Sequence, residues 1–227
     1  MSVRIVVRER GVTDSPDDLA ILDDGERARA GRKREAAPFV TGHALVRRVL
    51  GELLDRDPAG LAFARRCTTC GSEQHGKPSL RDVPDWHFSL SYTSASAIVA
   101  VAEGVEVGVD IEDLTDADFD GFAAATLARH EVEGFAGLAG HELLVARARV
   151  WARKEAVLKA TGHGLVVDPA EVLVSGPLDP PTLVDWQAEE PRPAAITIAD
   201  VELASEDHRA AVAVLTDEPV EIVGQQA

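Results

Sequence analysis

The chain has 227 residues and a formal net charge of −16, which argues against DNA or RNA as a partner, because acidic surfaces repel polyanions. Hydrophobic residues make up 45% of it, an ordinary share for a globular protein with a buried core. No apolar run approaches the roughly eighteen residues of a membrane-spanning helix, and the N-terminal residues lack the continuous apolar segment of a signal peptide, so we expect a cytoplasmic protein that does not bind membranes.

The negative charge is concentrated in the second half of the chain. Residues 1–107 contain 15 Lys and Arg against 16 Asp and Glu, whereas residues 108–227 contain 8 against 23. A ligand that carries phosphate should therefore find most of its positive partners in the first half.

The first half is predicted to contain helices and short strands. Apolar residues recur at helical spacing over residues 39–54, and the stretch W-H-F-S-L-S-Y at 86–92 alternates as a strand does. Residues 27–34 carry the densest positive charge, either as a solvated helix face or as an anion-binding site. The predicted elements are a strand over 3–8, helices over 19–34 and 39–54, a strand over 61–66, a loop over 67–85 and a strand over 86–92.

The second half repeats this pattern. Residues 141–160 are rich in good helix formers and are followed by two glycines that favour a helix end. The other predicted elements are strands over 96–102 and 105–111, an acidic connector over 113–120, one or two short helices over 122–138, and strands over 171–174, 183–188, 195–203 and 209–215. Helices combined with small antiparallel sheets in each half indicate an α+β fold, of the kind that a duplication would produce.

Two acidic positions and one helix face indicate a site for a cation and a phosphate. Glu155 and Lys159 are one helical turn apart, which on its own is an ordinary surface pair worth about 0.3 kcal/mol. Asp110 and Glu112 lie two residues apart, on one face of a predicted strand. Three carboxylates suit Mg²⁺, and a lysine beside them neutralises a phosphoryl oxygen. No glycine-rich nucleotide loop is present, so side chains must build the site.

The sequence also contains one C-x-x-C motif, formed by Cys67 and Cys70. Such a pair is half of a zinc site, a redox pair or a chance feature of a loop. His75 offers a third ligand, but no second C-x-x-C follows. We favour a tight structural turn.

Three segments in this order resemble a known family. They are H-G-K-P at 75–78, F-S-L-S-Y at 88–92 with V-G-V-D-I-E at 107–112, and W-A-R-K-E-A-V-L-K-A-T-G-H-G-L at 151–165. Together they resemble the 4′-phosphopantetheinyl transferases of the surfactin-synthetase-activating (Sfp) type, over roughly residues 20–175.

The resemblance implies a pseudo-dimer of two similar α/β subdomains with small, mostly antiparallel sheets. The expected division is residues 1–106, with the basic residues that bind coenzyme A, and residues 107–227, with the magnesium-binding and catalytic residues. It also implies a monomer that transfers the phosphopantetheine arm of coenzyme A to a serine of an acyl or peptidyl carrier protein. Adenosine 3′,5′-bisphosphate is the other product, and the reaction depends on Mg²⁺.

The resemblance assigns roles to individual residues. Asp110, Glu112 and Glu155 match the magnesium ligands, Glu155 also matches the general base, and Lys159 matches a phosphate-binding lysine with a catalytic role. The residues expected to bind coenzyme A are Lys77, Pro78, Ser91, Tyr92, Lys154, Lys159 and Arg34.

The sequence departs from the family at one informative position. The family usually has histidine after the serine of the strand motif, where it contacts the 3′-phosphate of coenzyme A, and this chain has Tyr92 there. Tyrosine donates a hydrogen bond but carries no positive charge. We therefore expect Arg32, Lys33, Arg34 or His43 to bind that phosphate.

Two other functions are compatible with the sequence. One is a different Mg²⁺-dependent phosphotransferase or pyrophosphate hydrolase, and the other is a catalytically weak or silent protein that binds coenzyme A or carrier proteins. The complete carboxylate set with Lys159 favours an active transferase, since a silent relative should have lost one of these groups. The sequence does not select among fatty-acid, polyketide and peptide carriers.

Overall fold

The computed structural model describes residues 2–65, 71–73 and 76–224. In this part of the chain it contains five α-helices and eleven strands. In chain order they are β1 (Val3–Gly11), α1 (Pro16–Ile21), α2 (Asp24–Ala30), α3 (Ala37–Leu54), β2 (Phe63–Arg65), β3 (Pro78–Leu80), β4 (Trp86–Tyr92), β5 (Ser96–Glu103), β6 (Val107–Asp113), α4 (Phe122–Thr126), α5 (Gly140–Thr161), β7 (Val172–Val174), β8 (Leu183–Trp186), β9 (Thr197–Val201), β10 (His208–Val214) and β11 (Val220–Val223).

The first sheet has the strand order β11-β1-β5-β4. The β1–β5 and β4–β5 pairs are antiparallel, whereas β11, from the end of the chain, pairs in parallel with β1. Helix α3 covers one face of this sheet, where Leu45, Val49 and Leu50 pack against Phe88 and Val99. The apolar period of this helix in the sequence therefore points into a core.

The second sheet has the antiparallel order β6-β10-β9 and is covered by α5. Ala156, Val157 and Ala160 of α5 pack against Ala211 and Ala213 of β10. Small residues on both surfaces allow the helix to lie close to the sheet. The β6 strand is at one edge of this sheet, next to the first half of the chain.

The two sheets pack against each other through a shared apolar layer. Ile5, Val7 and Ile98 of the first sheet contact Val109 and Val212 of the second. The order of layers is therefore helix, sheet, sheet, helix. Since β6 lies beside β4 in this arrangement, residues of the two halves meet along these two strands.

Most predicted elements are present, but three predictions are corrected. Residues 19–34 do not form one helix, because Asp23 starts α2 with a capping box in which its side chain accepts from the Glu26 N–H. The predicted loop over 67–85 contains β3, and β11 was not predicted. The mixed α/β architecture with small, mainly antiparallel sheets is as expected. No helix in the described ranges is long and apolar enough to cross a membrane.

Candidate functional site

Strand β6 and helix α5 touch backbone to backbone. A Cβ atom on Gly108 would lie 2.0 Å from the Ala156 carbonyl oxygen and 2.3 Å from the Ala160 nitrogen. Only glycine leaves room for this approach. Side chains that follow Gly108 on β6 are therefore held against the face of α5 that carries Glu155 and Lys159.

A hydrogen-bonded cluster joins β6, α5 and β4. The Lys159 ammonium donates to Asp110 Oδ1 at 2.5 Å and to Ser91 Oγ at 2.9 Å, and the Ser91 hydroxyl donates to Asp110 Oδ1 at 2.7 Å. The Asp110 carboxylate is 2% exposed. The structure thus brings together three predicted site residues that lie far apart in the sequence.

Two further carboxyl groups complete this acidic cluster. Burial, with the charge of Asp110 and a hydrogen bond to Asp110, raises the pKa of Glu112 to about 9. Burial and the charge of Asp110 also raise the pKa of Glu155, against the opposing charge of Lys159. Both pKa values are raised chiefly by burial, and the charge of Lys159 opposes this only in part.

The cluster has chemical features that suit a hard cation. Asp110 Oδ2 and Glu155 Oε1 are buried and have no hydrogen-bond partner within the described residues. Oxygen ligands of this kind are those that Mg²⁺ prefers. As the side chains stand, no three His, Cys, Asp or Glu residues in the described ranges are grouped closely enough to share one metal ion. Carboxylate rearrangement would have to accompany metal binding.

A cavity of about 600 Å³ opens beside the cluster. Its walls come from both halves of the chain, including the end of α5 and the loop after it. Lys159, Tyr92 and Pro78 are part of this wall, and so is Lys77. The residues that line it are Glu26, Arg29, Phe39, His43, Val46, Phe63, Arg65, Gly76, Lys77, Pro78, Phe88, Ser89, Leu90, Tyr92, Leu158, Lys159, Gly162, His163, Gly164 and Val166.

Comparison with known proteins finds a family model that matches part of the chain. Residues 106–213, which run from the residue before β6 to β10, match the family model described as the 4′-phosphopantetheinyl transferase superfamily. The match covers slightly less than half of the chain, which is therefore similar to this superfamily over that region. The resemblance inferred from the three sequence segments is confirmed, and the matched region contains the acidic cluster apart from Ser91.

Proteins named 4′-phosphopantetheinyl transferases are similar to this chain at modest identity. One from Bacillus subtilis is 25% identical over 170 residues, which cover 73% of this chain and 72% of the relative. HetI of Nostoc sp. is 31% identical over 156 residues, or 66% of this chain and 63% of the relative. Sfp of Bacillus subtilis strain 168 is 25% identical over 133 residues, or 59% of this chain and 55% of the relative. The alignments with HetI and Sfp thus span less than two thirds of those relatives.

Two of the residues predicted to bind coenzyme A lie away from the cavity, and a third, Ser91, is next to it through its hydrogen bond with Lys159 but does not line it. Lys154 is completely buried, and its ammonium donates to Glu131 at 2.5 Å and to the Pro169 carbonyl at 2.9 Å. Its role is to hold α5 against the segments around residues 131 and 169. Arg34 is exposed in the connection between α2 and α3 and is not among the residues that line the cavity.

Sequence reasoning missed one basic residue of the cavity wall and placed another only within a larger cluster. Arg65, at the end of β2, was not singled out, and its guanidinium donates to the Gly76 carbonyl at 3.1 Å. Arg29 was grouped with its basic neighbours, but it is the member of that group that lines the cavity. Burial and the nearby charge of Arg29 lower the pKa of Arg65, which shows that the two charges are close. No local pattern distinguishes Arg65 from other surface arginines. Cys67, Cys70 and His75 lie outside the described residues, so the C-x-x-C interpretation stays a prediction.

Proposed function

We propose that the chain transfers the 4′-phosphopantetheine arm of coenzyme A to a serine of an acyl or peptidyl carrier protein, with Mg²⁺ and with adenosine 3′,5′-bisphosphate as the second product. The observation that carries the proposal is the cluster of Ser91, Asp110 and Lys159, with Glu112 and Glu155 beside it, at the edge of a cavity large enough for a cofactor-sized ligand. The match of residues 106–213 to the superfamily model supports the same activity.

The proposal includes the arrangement of the two halves. We infer that residues 1–106 and 107–227 act as similar subdomains of a pseudo-dimer, with coenzyme A in the cavity between them. In support, each half supplies three strands of one sheet and one long helix on its outer face, while β11 of the second half is the fourth strand of the first sheet. A monomer in the cytoplasm, as the sequence predicts, is sufficient for this activity.

Asp110, Glu112 and Glu155 are the residues that would hold Mg²⁺. Magnesium there would neutralise the negative charge of the pyrophosphate of coenzyme A. Binding of the cation would favour ionised Glu112 and Glu155, because a nearby positive charge lowers a carboxyl pKa. Lys159, which contacts Asp110 in the structure, would then be available to a phosphoryl oxygen.

The transfer itself needs a base and charge neutralisation. Glu155, directly or through one water, would take the proton of the carrier serine hydroxyl as its oxygen attacks the phosphorus next to the pantetheine. The new serine O–P bond forms while the P–O bond to the leaving nucleotide phosphate breaks. Lys159 would stabilise the charge that develops on the phosphoryl oxygens.

The 3′-phosphate of coenzyme A has a candidate site near Tyr92. Arg29, His43 and Arg65 line the cavity there, and Glu26 is the acidic residue among them. Arg47 Nε donates to Glu26 Oε2 at 2.7 Å, and His43 Nδ1 lies 2.9 Å from Glu26 Oε1, so the negative charge of Glu26 is matched by Arg47. The two guanidinium groups are left to attract an anion. We propose that Arg29 and Arg65 take over the phosphate contact of the family histidine, whose position is occupied by Tyr92 in this chain.

Arg65→Met should reduce the preference for coenzyme A over dephospho-coenzyme A by about tenfold or more. Only coenzyme A carries the 3′-phosphate, so only its binding loses the charge-assisted hydrogen bond from Arg65. Tyr92→His should change this preference less than about threefold. The measurement is kcat/KM for both donors in each variant. Arg81→Met is the matched control, since Arg81 is exposed after β3 and outside the cavity wall. Equal loss with both donors in Arg65→Met would contradict the assignment.

The direct test of the function is the mass of the carrier. An apo carrier protein incubated with the chain, coenzyme A and Mg²⁺ should gain the mass of phosphopantetheine, and no gain should occur without Mg²⁺. Cleavage of coenzyme A without modification of the carrier would indicate a pyrophosphate hydrolase. Binding of coenzyme A with neither reaction, across fatty-acid, polyketide and peptide carriers, would indicate a silent relative.

A further inference from the structure

The outer edge of β6 is completed by side chains from the first half of the chain. Because β6 is an edge strand of its sheet, alternate N–H and C=O groups point away from β10. The Val109 N–H donates to Ser89 Oγ at 3.0 Å, and the Val107 carbonyl accepts from Lys77 Nζ at 2.8 Å. Buried backbone groups require such partners. Two side chains thus take the place of a neighbouring strand.

Lys77 has a full set of protein partners although it lines the cavity. Besides Val107, its ammonium donates to Glu106 Oε2 at 2.5 Å and to the Ala160 carbonyl at 3.2 Å. Ala160 is in the last turn of α5, where carbonyls lack a partner within the helix. An ammonium has three N–H groups, and these three acceptors use them all. Lys77 therefore contributes its carbon chain, and not its charge, to the cavity wall.

Glu106 is itself fixed in place. Its second carboxylate oxygen lies 3.1 Å from His87 Nδ1 on β4. Burial opposes ionisation of Glu106, but the hydrogen bonds and charges of His87 and Lys77 outweigh it and lower its pKa to about 2. The Lys77 ammonium thus pairs with the ionised carboxylate of Glu106, whose second oxygen is bound by His87.

The contacts of Lys77 lie where the two elements of the acidic cluster meet. Val107 and Ala160 are the neighbours of Gly108 and Lys159, respectively, and the backbones of Gly108 and Ala160 are in contact. Asp110 is two residues after Gly108 on β6. A shift between β6 and the end of α5 would therefore move Asp110 relative to Lys159 and Glu155.

We propose that Lys77 is a positioning residue that, with Glu106 and Ser89, fastens β6 to the end of α5 and thereby sets the spacing of the acidic cluster. We call these three side chains the β6 clasp. In this role the Lys77 ammonium does not touch coenzyme A, in contrast to the prediction from the sequence. The inference rests on the proposed function only for its effect on turnover.

Lys77→Met keeps the carbon chain and removes the three donors. We expect kcat to fall by more than about tenfold while KM for coenzyme A changes less than about threefold, because geometry at the reacting groups is lost and ligand contacts are kept. In the protein without coenzyme A, amides of residues 157–162 should exchange with solvent at least about threefold faster. Arg56→Met is the control, since it removes an exposed positive charge of the first half that belongs neither to the clasp nor to the cavity wall.

A second variant keeps the inference testable if Lys77→Met does not fold. Glu106→Gln leaves Lys77 in place but removes its ion pair, and it should change kcat and amide exchange in the same direction by a smaller factor. The inference is overturned if KM for coenzyme A rises with kcat preserved, or if neither variant accelerates exchange in the ligand-free protein. Amide exchange is measured without any transfer reaction. It therefore tests whether the clasp holds β6 against α5 even if the wild-type protein modifies no carrier.

Discussion

Glu155→Gln is expected to lower kcat for carrier modification by about a thousandfold while leaving the fold intact. The substitution keeps the shape of the side chain and removes both a metal-binding oxygen and the proposed base. Burial raises the pKa of Glu155, so a neutral amide there should not destabilise the protein. Turnover measured at saturating Mg²⁺ and coenzyme A, together with Tm, checks this expectation.

The same substitution elsewhere on α5 provides the control. Glu142 is exposed in the first turn of the helix, far from the cluster, and Glu142→Gln should retain wild-type kcat. If Glu155→Gln keeps kcat within about tenfold of wild type, Glu155 is not the base.

Gly108→Ala is expected to destabilise the protein by about 3 kcal/mol or more, because the new methyl group would overlap the backbone of α5. Neither the Ala156 carbonyl nor the Ala160 nitrogen can move without shifting the helix. For a chain of this size, such a loss lowers Tm by roughly 10 °C. Activity should also fall at temperatures where the variant is still folded, since the geometry of the acidic cluster depends on this contact.

Gly11→Ala is the matched control, because it places the same methyl group at the end of β1, where the nearest atom lies 4.0 Å away. Thermal unfolding of both variants and of wild type is the measurement. Equal Tm values for the two variants would show that β6 and α5 can separate at no cost, and the close approach would then not set the site.

Sequence reasoning found those parts of the site whose residues recur at the spacing of one helix or one strand. Glu155 and Lys159 share a face of one helix, and Asp110 and Glu112 share a face of one strand, so their spacing alone indicates a common direction. The structure adds that these faces meet, and that Ser91 joins them from β4. Their metal-binding and catalytic roles stay predictions.

The parts that sequence reasoning did not find depend on contacts between distant segments. Lys154 stands next to Glu155, yet its ammonium is buried against Glu131 because successive helix positions point in different directions. Arg65 enters the cavity only because β2 pairs with β3 beside it. No pattern in the neighbouring sequence predicts the burial of Lys154 or the exposure of Arg65 to the cavity.

The parallel pairing of β11 with β1 has a consequence for how the molecule is made. Val3 lies opposite Val220, so the outer edge of β1 stays uncovered until β11 has been synthesised. The apolar layer between the two sheets also needs residues from both halves. Contacts of such long range slow folding and leave an uncovered strand edge during synthesis. The first sheet therefore reaches its full set of strands only when β11 has been synthesised, and until then one side of β1 offers unpaired backbone groups to any other strand.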